Sequence, residues 1–167
     1  MIFVTVGTHE QQFNRLIKCV DEMVGNHVID DQVIIQTGYS DYEPVNCTWR
    51  KLYSFDEMNR LVNEADIVIT HGGPSSIFMP LQIGKIPIVV PRQKKYDEHV
   101  NNHQYEFVQF ISKTQRMILP VWEIEDLQDT ILSYKETVKN IPCEMTSNNA
   151  KFCDELEQMA KELLGEK

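Results

Sequence analysis

The stretch Ile69-Thr70-His71-Gly72-Gly73-Pro74-Ser75-Ser76 carries the residue types best suited to gripping an anion. Two glycines let the chain turn sharply and let backbone approach a ligand with no Cβ in the way. Pro74 falls where a helix best tolerates proline, at its first residue, because the missing N–H would have had no partner there. A helix starting at this point presents unpaired N–H groups and about half a positive charge, which favours a phosphate. Ser75 and Ser76 add hydroxyls to the same turn. The alternative is an ordinary strand-to-helix connection whose glycines serve packing.

A second stretch, from Pro91-Arg92-Gln93-Lys94-Lys95 through His99 to His103-Gln104, is rich in donors and acceptors. Asn, Gln and His side chains supply the paired donors and acceptors that sugar hydroxyls need. The competing reading is a solvated loop leading into a helix. His99 and His103 stand four apart, the spacing of a metal pair on a helix, but no third ligand is evident and His-Glu-x-x-His is absent. Walker A, Gly-x-Gly-x-x-Gly and Gly-x-Ser-x-Gly patterns are missing, as is an Asp-x-Asp pair to hold a divalent ion against a diphosphate. Cys19, Cys47, Cys143 and Cys153 form no Cys-x-x-Cys pair, and free thiols are expected.

These groups must be positioned by regular elements. Ile2–Val6, Gln32–Gln36, Lys51–Tyr53, Ile67–Ile69, Pro87–Val90 and Met117–Leu119 read as short strands. Between them, Phe13, Leu16, Ile17, Val20, Met23 and Val24 recur at helical spacing, and Ser54 with Glu57 has capping-box spacing ahead of a second helix. A helix from Pro74 towards Gly84 is expected to be kinked or short because of Pro80. Further helices are expected over His99–Ile111 and Ile124–Leu132, with a terminal amphipathic one within 146–167. Alternating strands and helices predict an α/β fold, a Rossmann-like three-layer parallel sheet forming one domain over 1–167. Ligands sit beyond the carboxyl ends of such strands, so Gly7-Thr8-His9, Thr37-Gly38, His71-Gly72-Gly73 and the chain from Arg92 should open on one rim.

Composition narrows the classes. A length of 167 residues suits a single core, and 42% hydrophobic with 25% charged residues is ordinary for a globular domain. A formal net charge of −9 argues against nucleic acid, whose phosphates are held by clustered Lys and Arg. Met1 leads straight into an apolar strand, and no apolar run approaches the roughly 18 residues of a membrane span, so a cytoplasmic location is expected.

Ile69 to Ser76, Gly84-Lys85-Ile86-Pro87-Ile88-Val89-Val90-Pro91-Arg92 and Glu98-His99-Val100-Asn101-Asn102-His103-Gln104, in that order, resemble the C-terminal domain of glycosyltransferase family 28. The chain is most similar to its half-size members, catalytic subunits of two-part capsular and exopolysaccharide transferases of the streptococcal β-1,4-galactosyltransferase type. That resemblance implies the nucleotide-sugar half of a GT-B fold, with a membrane-anchored partner subunit supplying the acceptor half. It implies that Gly72, Gly73, Ser75 and Ser76 contact the UDP diphosphate and that Ser54, Phe55 and Met58 hold the uracil. His103 and Gln104 would read the donor sugar, and the Gly7-Thr8-His9 loop would face the cleft. The implied donor is a UDP-sugar, the implied acceptor a lipid-linked saccharide at the inner face of the membrane, and no metal or other cofactor is expected.

Leaving-group charge then falls to the helix N-terminus and to a cation among Arg92, Lys94 and Lys95. An inverting transfer needs a base, for which His9 is a candidate; His71 could as easily buttress the turn, or the partner supplies the base. A subunit that binds donor while its partner does the chemistry is the alternative. Phe78-Met79-Pro80 departs from the family pattern, which places a ribose-binding carboxylate in this helix.

Overall fold

The computed structural model describes residues 1–114 and 117–141. Among these residues six strands and five α-helices follow one another as β1 (Ile2–Thr5), α1 (Asn14–Gly25), β2 (Val33–Gln36), β3 (Thr48–Arg50), α2 (Phe55–Glu64) and β4 (Ile67–Thr70), then α3 (Pro74–Leu81), β5 (Ile88–Val89), α4 (His103–Thr114), β6 (Leu119–Pro120) and α5 (Leu127–Val138). All strand pairs are parallel, in the order β3-β2-β1-β4-β5-β6. Both faces are covered, as an all-parallel sheet requires. Ile2 and Val4 of β1 pack with α1 and α5 through Leu16, Ile17, Val20, Leu127 and Ile131. The alternate residues Phe3 and Val68 face Leu61 and Val62 of α2, while Val89 meets Ile77 of α3 and Val108 of α4. The expected three-layer α/β architecture is therefore present.

This strand order creates a crevice. From β1 the chain winds to β2 and β3 on one side, and from β4 to β5 and β6 on the other, so the connections leaving β1 and β4 diverge. Ligands bind at such a switch point.

Several boundaries differ from the sequence reading. β3 lies at Thr48–Arg50 rather than Lys51–Tyr53 because Asp21, fully buried on the inner face of α1, draws the preceding loop in. Its carboxylate accepts the amides of Val45 (3.1 Å) and Asn46 (2.8 Å) and the Tyr42 hydroxyl (2.8 Å). α4 starts at His103, not His99, because Glu98 turns inward onto Arg15 and Asp97 adopts a left-handed φ of 55°. His99 is thus off the helix, and the i,i+4 His99–His103 pair is not formed. α5 runs six residues past the expected Leu132, to Val138, because Tyr134 also faces the core and donates to the Ile86 carbonyl (2.7 Å). α3 is short, as Pro80 implied, and ends at Leu81.

Among the described residues no helix is long and apolar enough to cross a membrane. Burial pushes the thiols of Cys19 to about 11 and Cys47 to about 12, which keeps both protonated and unreactive. The expected terminal helix of 146–167, with Cys143 and Cys153, lies outside the described residues.

Candidate functional site

A cleft of about 280 Å³ opens at the switch point, lined by the ends of β1, β2 and β4 and by the first turns of α2 and α3. One half is apolar. Tyr53, Phe55, Met58 and Met79 form it, and Phe55, 71% exposed, stands at the lip. α2 is fixed there by the expected capping box: Ser54 Oγ accepts the Glu57 amide (3.3 Å) and Glu57 accepts the Ser54 amide (3.0 Å). Ser54 therefore sets the position of Phe55 and Met58 rather than lining the cleft itself.

The other half is built from backbone. Gly7, Thr8, His71, Ser75 and Ser76 line it. α3 has Gly73 as N-cap with no capping side chain, Pro74 follows, and the amides of Ser75 and Ser76 bond to no described protein acceptor. These are the orphan donors of a helix start, and they front the cleft. The two serines differ. Ser76 Oγ is committed to the Gly73 carbonyl (2.8 Å) and lies 3.3 Å from His71 Nδ1, whereas Ser75 is exposed with its hydroxyl unengaged by described residues.

His71 explains two glycines. A Cβ on Gly7 would lie 2.6 Å, and one on Gly73 2.5 Å, from His71 Nε2, so the imidazole is wedged between the loop after β1 and the start of α3. Gly73 has φ −76° and ψ 135°, open to any residue, so space alone demands glycine there. Gly72 is a packing glycine: a Cβ would meet the Gln104 Cβ at 2.9 Å and Val108 at 3.0 Å. His71 is partly buried, with Nδ1 against Ser76 Oγ. Loss of hydration, reinforced by the Arg92 charge, drives its pKa down to about 3, so the ring is neutral. The buttress reading of His71 describes this geometry. We expect Gly73→Ala to cost about 1–3 kcal/mol of stability by overpacking. It should cost nothing further once His71 is alanine; thermal unfolding of the single and double variants checks this, and a neutral Gly73→Ala beside an intact His71 would refute the wedge.

His9 stands on the loop after β1, its ring edge-on to His99 with centroids 4.3 Å apart. His9 Nδ1 accepts the Gln11 amide (3.4 Å) and His99 Nδ1 the Asn101 amide (3.3 Å), which assigns the neutral-ring proton to Nε2 in each. Arg92 takes another part than the one expected. It is fully buried beneath that loop and donates to the carbonyls of Val6 (2.8 Å), Gln11 (2.9 Å), Gln12 (2.9 Å) and Glu98 (3.0 Å). Its guanidinium shapes the rim instead of reaching into the cleft. Lys95 pairs with Glu123 (3.4 Å), and Lys94 sits on an exposed turn. Gln104 lies against Gly72 with Oε1 accepting the Arg92 amide (3.4 Å); His103 is exposed beside Glu106, outside the cleft lining. Among the described residues no three potential ligands converge on a metal site.

Thr5 and Gln36, which floor the cleft, were missed by the motif reading. Their only signal in the sequence is position, Thr5 next to last and Gln36 last in two predicted strands.

With this geometry in hand, the chain matches the glycosyltransferase family 28 C-terminal domain over residues 1–163. The chain belongs to that family. Family-28 membership agrees with a relative, the human UDP-N-acetylglucosamine transferase subunit ALG13, 31% identical over 121 residues. That alignment covers 67% of this chain but only 10% of the much longer relative. Among solved structures, the glycotransferase of kitacinnamycin superposes with a TM-score of 0.56 at 17% identity, over 79% of this chain and 34% of the other. MurG of Acinetobacter baumannii gives 0.51 at 17% identity, over 79% and 40%. At such identities these neighbours establish the shared fold, and this family-28 domain corresponds to less than half of each.

Proposed function

We propose that this chain is the donor-binding, catalytic subunit of a two-part transferase. It moves a sugar, galactose in our reading, from a UDP-sugar to a lipid-linked saccharide in capsule or exopolysaccharide synthesis, with inversion and without a metal. A membrane-anchored partner brings the acceptor and recruits the chain to the inner face of the membrane. The observation that carries this reading is the uncapped N-terminus of α3 fronting a cleft whose opposite half is apolar and aromatic. Phe55 offers a flat face for a base, and the Ser75 and Ser76 amides offer donors to a diphosphate that must depart with its negative charge. The subunit named in the human relative supports a two-part arrangement.

One observation favours a second reading, in which the partner supplies the base. His9 already engages the Gln11 amide through Nδ1 and packs on His99, and burial with Arg92 nearby lowers its pKa. Calorimetric titration of the purified chain with UDP and UDP-sugars, with and without a chelator, tests the proposal. UDP binding unchanged by chelator is expected; no binding, or binding only with a divalent ion, would overturn it. In the reconstituted pair, His9→Ala should abolish turnover with donor affinity intact if His9 is the base, and unchanged turnover assigns the base to the partner.

A further inference from the structure

The floor of the cleft contains a hydroxyl whose hydrogen-bonding is half fixed. Thr5 Oγ1 accepts the Gly7 amide (3.3 Å) and Gln36 Nε2 (3.2 Å). Gln36 is itself oriented, because its Oε1 accepts the Tyr53 amide (3.2 Å), a group that can only donate. A threonine hydroxyl has two acceptor sites and one proton. Both acceptor sites of Thr5 are filled, and its proton has no acceptor among the described residues. Thr5 is 3% exposed and Gln36 3% exposed, and the surface both retain faces the cleft. A buried donor without a partner is costly, and a ligand that provides an acceptor removes that cost.

Sheet order states which part of a ligand would lie there. β2 leads through Gln36 to Tyr53 and the apolar half; β4 leads through His71 to the α3 amides; β1, with Thr5, lies between them. In a nucleoside diphosphate the group between base and phosphate is the pentose. Among the described residues no carboxylate lines the cleft, and Met79 faces it from α3. Resting on the donor reading above, we propose that the Thr5 hydroxyl donates to a ribose hydroxyl oxygen of the bound nucleotide, with Gln36 as its positioning residue, so that the pentose is recognised by an uncharged donor.

Calorimetry with UDP, 2′-deoxy-UDP and 3′-deoxy-UDP tests this on the unaltered chain, Thr5→Val and Thr5→Ser. The unaltered chain should bind UDP more tightly than one of the two deoxy analogues. Thr5→Val should weaken UDP by about three- to ten-fold, the worth of one neutral hydrogen bond, and bring UDP and that analogue to equal affinity. Thr5→Ser should restore the difference. Equal binding of all three by the unaltered chain overturns the inference alone, and that arm needs no variant to fold. A uniform loss for all three ligands in Thr5→Val also overturns it, as does unchanged UDP affinity in that variant. Failure of the unaltered chain to bind UDP removes the donor reading and this inference together.

Discussion

Arg92→Met should destabilise the domain by about 3–5 kcal/mol, a large part of the total stability of a fold this size. The guanidinium holds four carbonyls, those of Val6, Gln11, Gln12 and Glu98, under zero exposure. Methionine fills similar space but leaves the buried Val6 and Glu98 carbonyls and the half-buried Gln11 and Gln12 carbonyls without this donor, and each buried unmet group costs about 1–3 kcal/mol before relaxation. Glu98 retains its bidentate pair with Arg15 (2.8 and 2.9 Å) and its bond from the Gln93 amide (3.0 Å), which bounds the loss. Arg92→Lys should rescue little, because an ammonium cannot reproduce the planar fork. Burial lowers the Arg92 pKa only to about 10, so it is charged at neutral pH. Burial lowers the pKa values of His9, His71 and His99 and the Arg92 charge adds to it, so all three should titrate somewhat higher in a folded Arg92→Met sample. Thermal unfolding gives the first readout, with a fall of about 10 °C expected. A fall of a degree or two would show that the four carbonyls find other donors.

The second large effect is acid sensitivity. His71 has a folded pKa of about 3 against 6.5 when hydrated. Between those values the unfolded chain takes up a proton that the folded ring refuses, so stability rises with pH across this window and is fully present above 6.5. The slope for one such group is about 1.4 kcal/mol per pH unit at most, and moving from pH 7 to pH 5 should remove about 2 kcal/mol. His9 and His99, also depressed, act in the same direction. Urea midpoints at pH 7.5, 6 and 5 give the measurement, and His71→Gln should flatten the dependence without abolishing it. A midpoint constant over that range would mean that the ring protonates in place, and the wedge between Gly7 and Gly73 would have to open.

Both effects trace back to one rim. The loop after β1 is held from below by Arg92 and from the side by His71, and these constraints give Gly7 and Thr8 fixed places in the cleft. Walls fixed beforehand spare a site the cost of reorganising when a ligand's charge changes.

Much of this was legible in the chain itself. The β-branched run before His71, followed by two glycines and a proline, identifies strand, turn and helix start, and α3 begins at Pro74. Ser54 and Glu57 announce their capping box, and alternation of strand and helix gives the parallel sheet. Each of these rests on interactions spanning a few residues, which local sequence records directly. What only the tertiary structure decided is the fate of the buried polar groups. Arg92 finds Val6 86 positions away, and Glu98 finds Arg15 across 83. Those partnerships turned a candidate phosphate ligand into a scaffold and moved the start of α4 to His103. Thr5 and Gln36 became a cleft floor only because β1 and β2 are neighbours. A polar side chain must be satisfied wherever the fold carries it, and its partners lie beyond the reach of any local pattern.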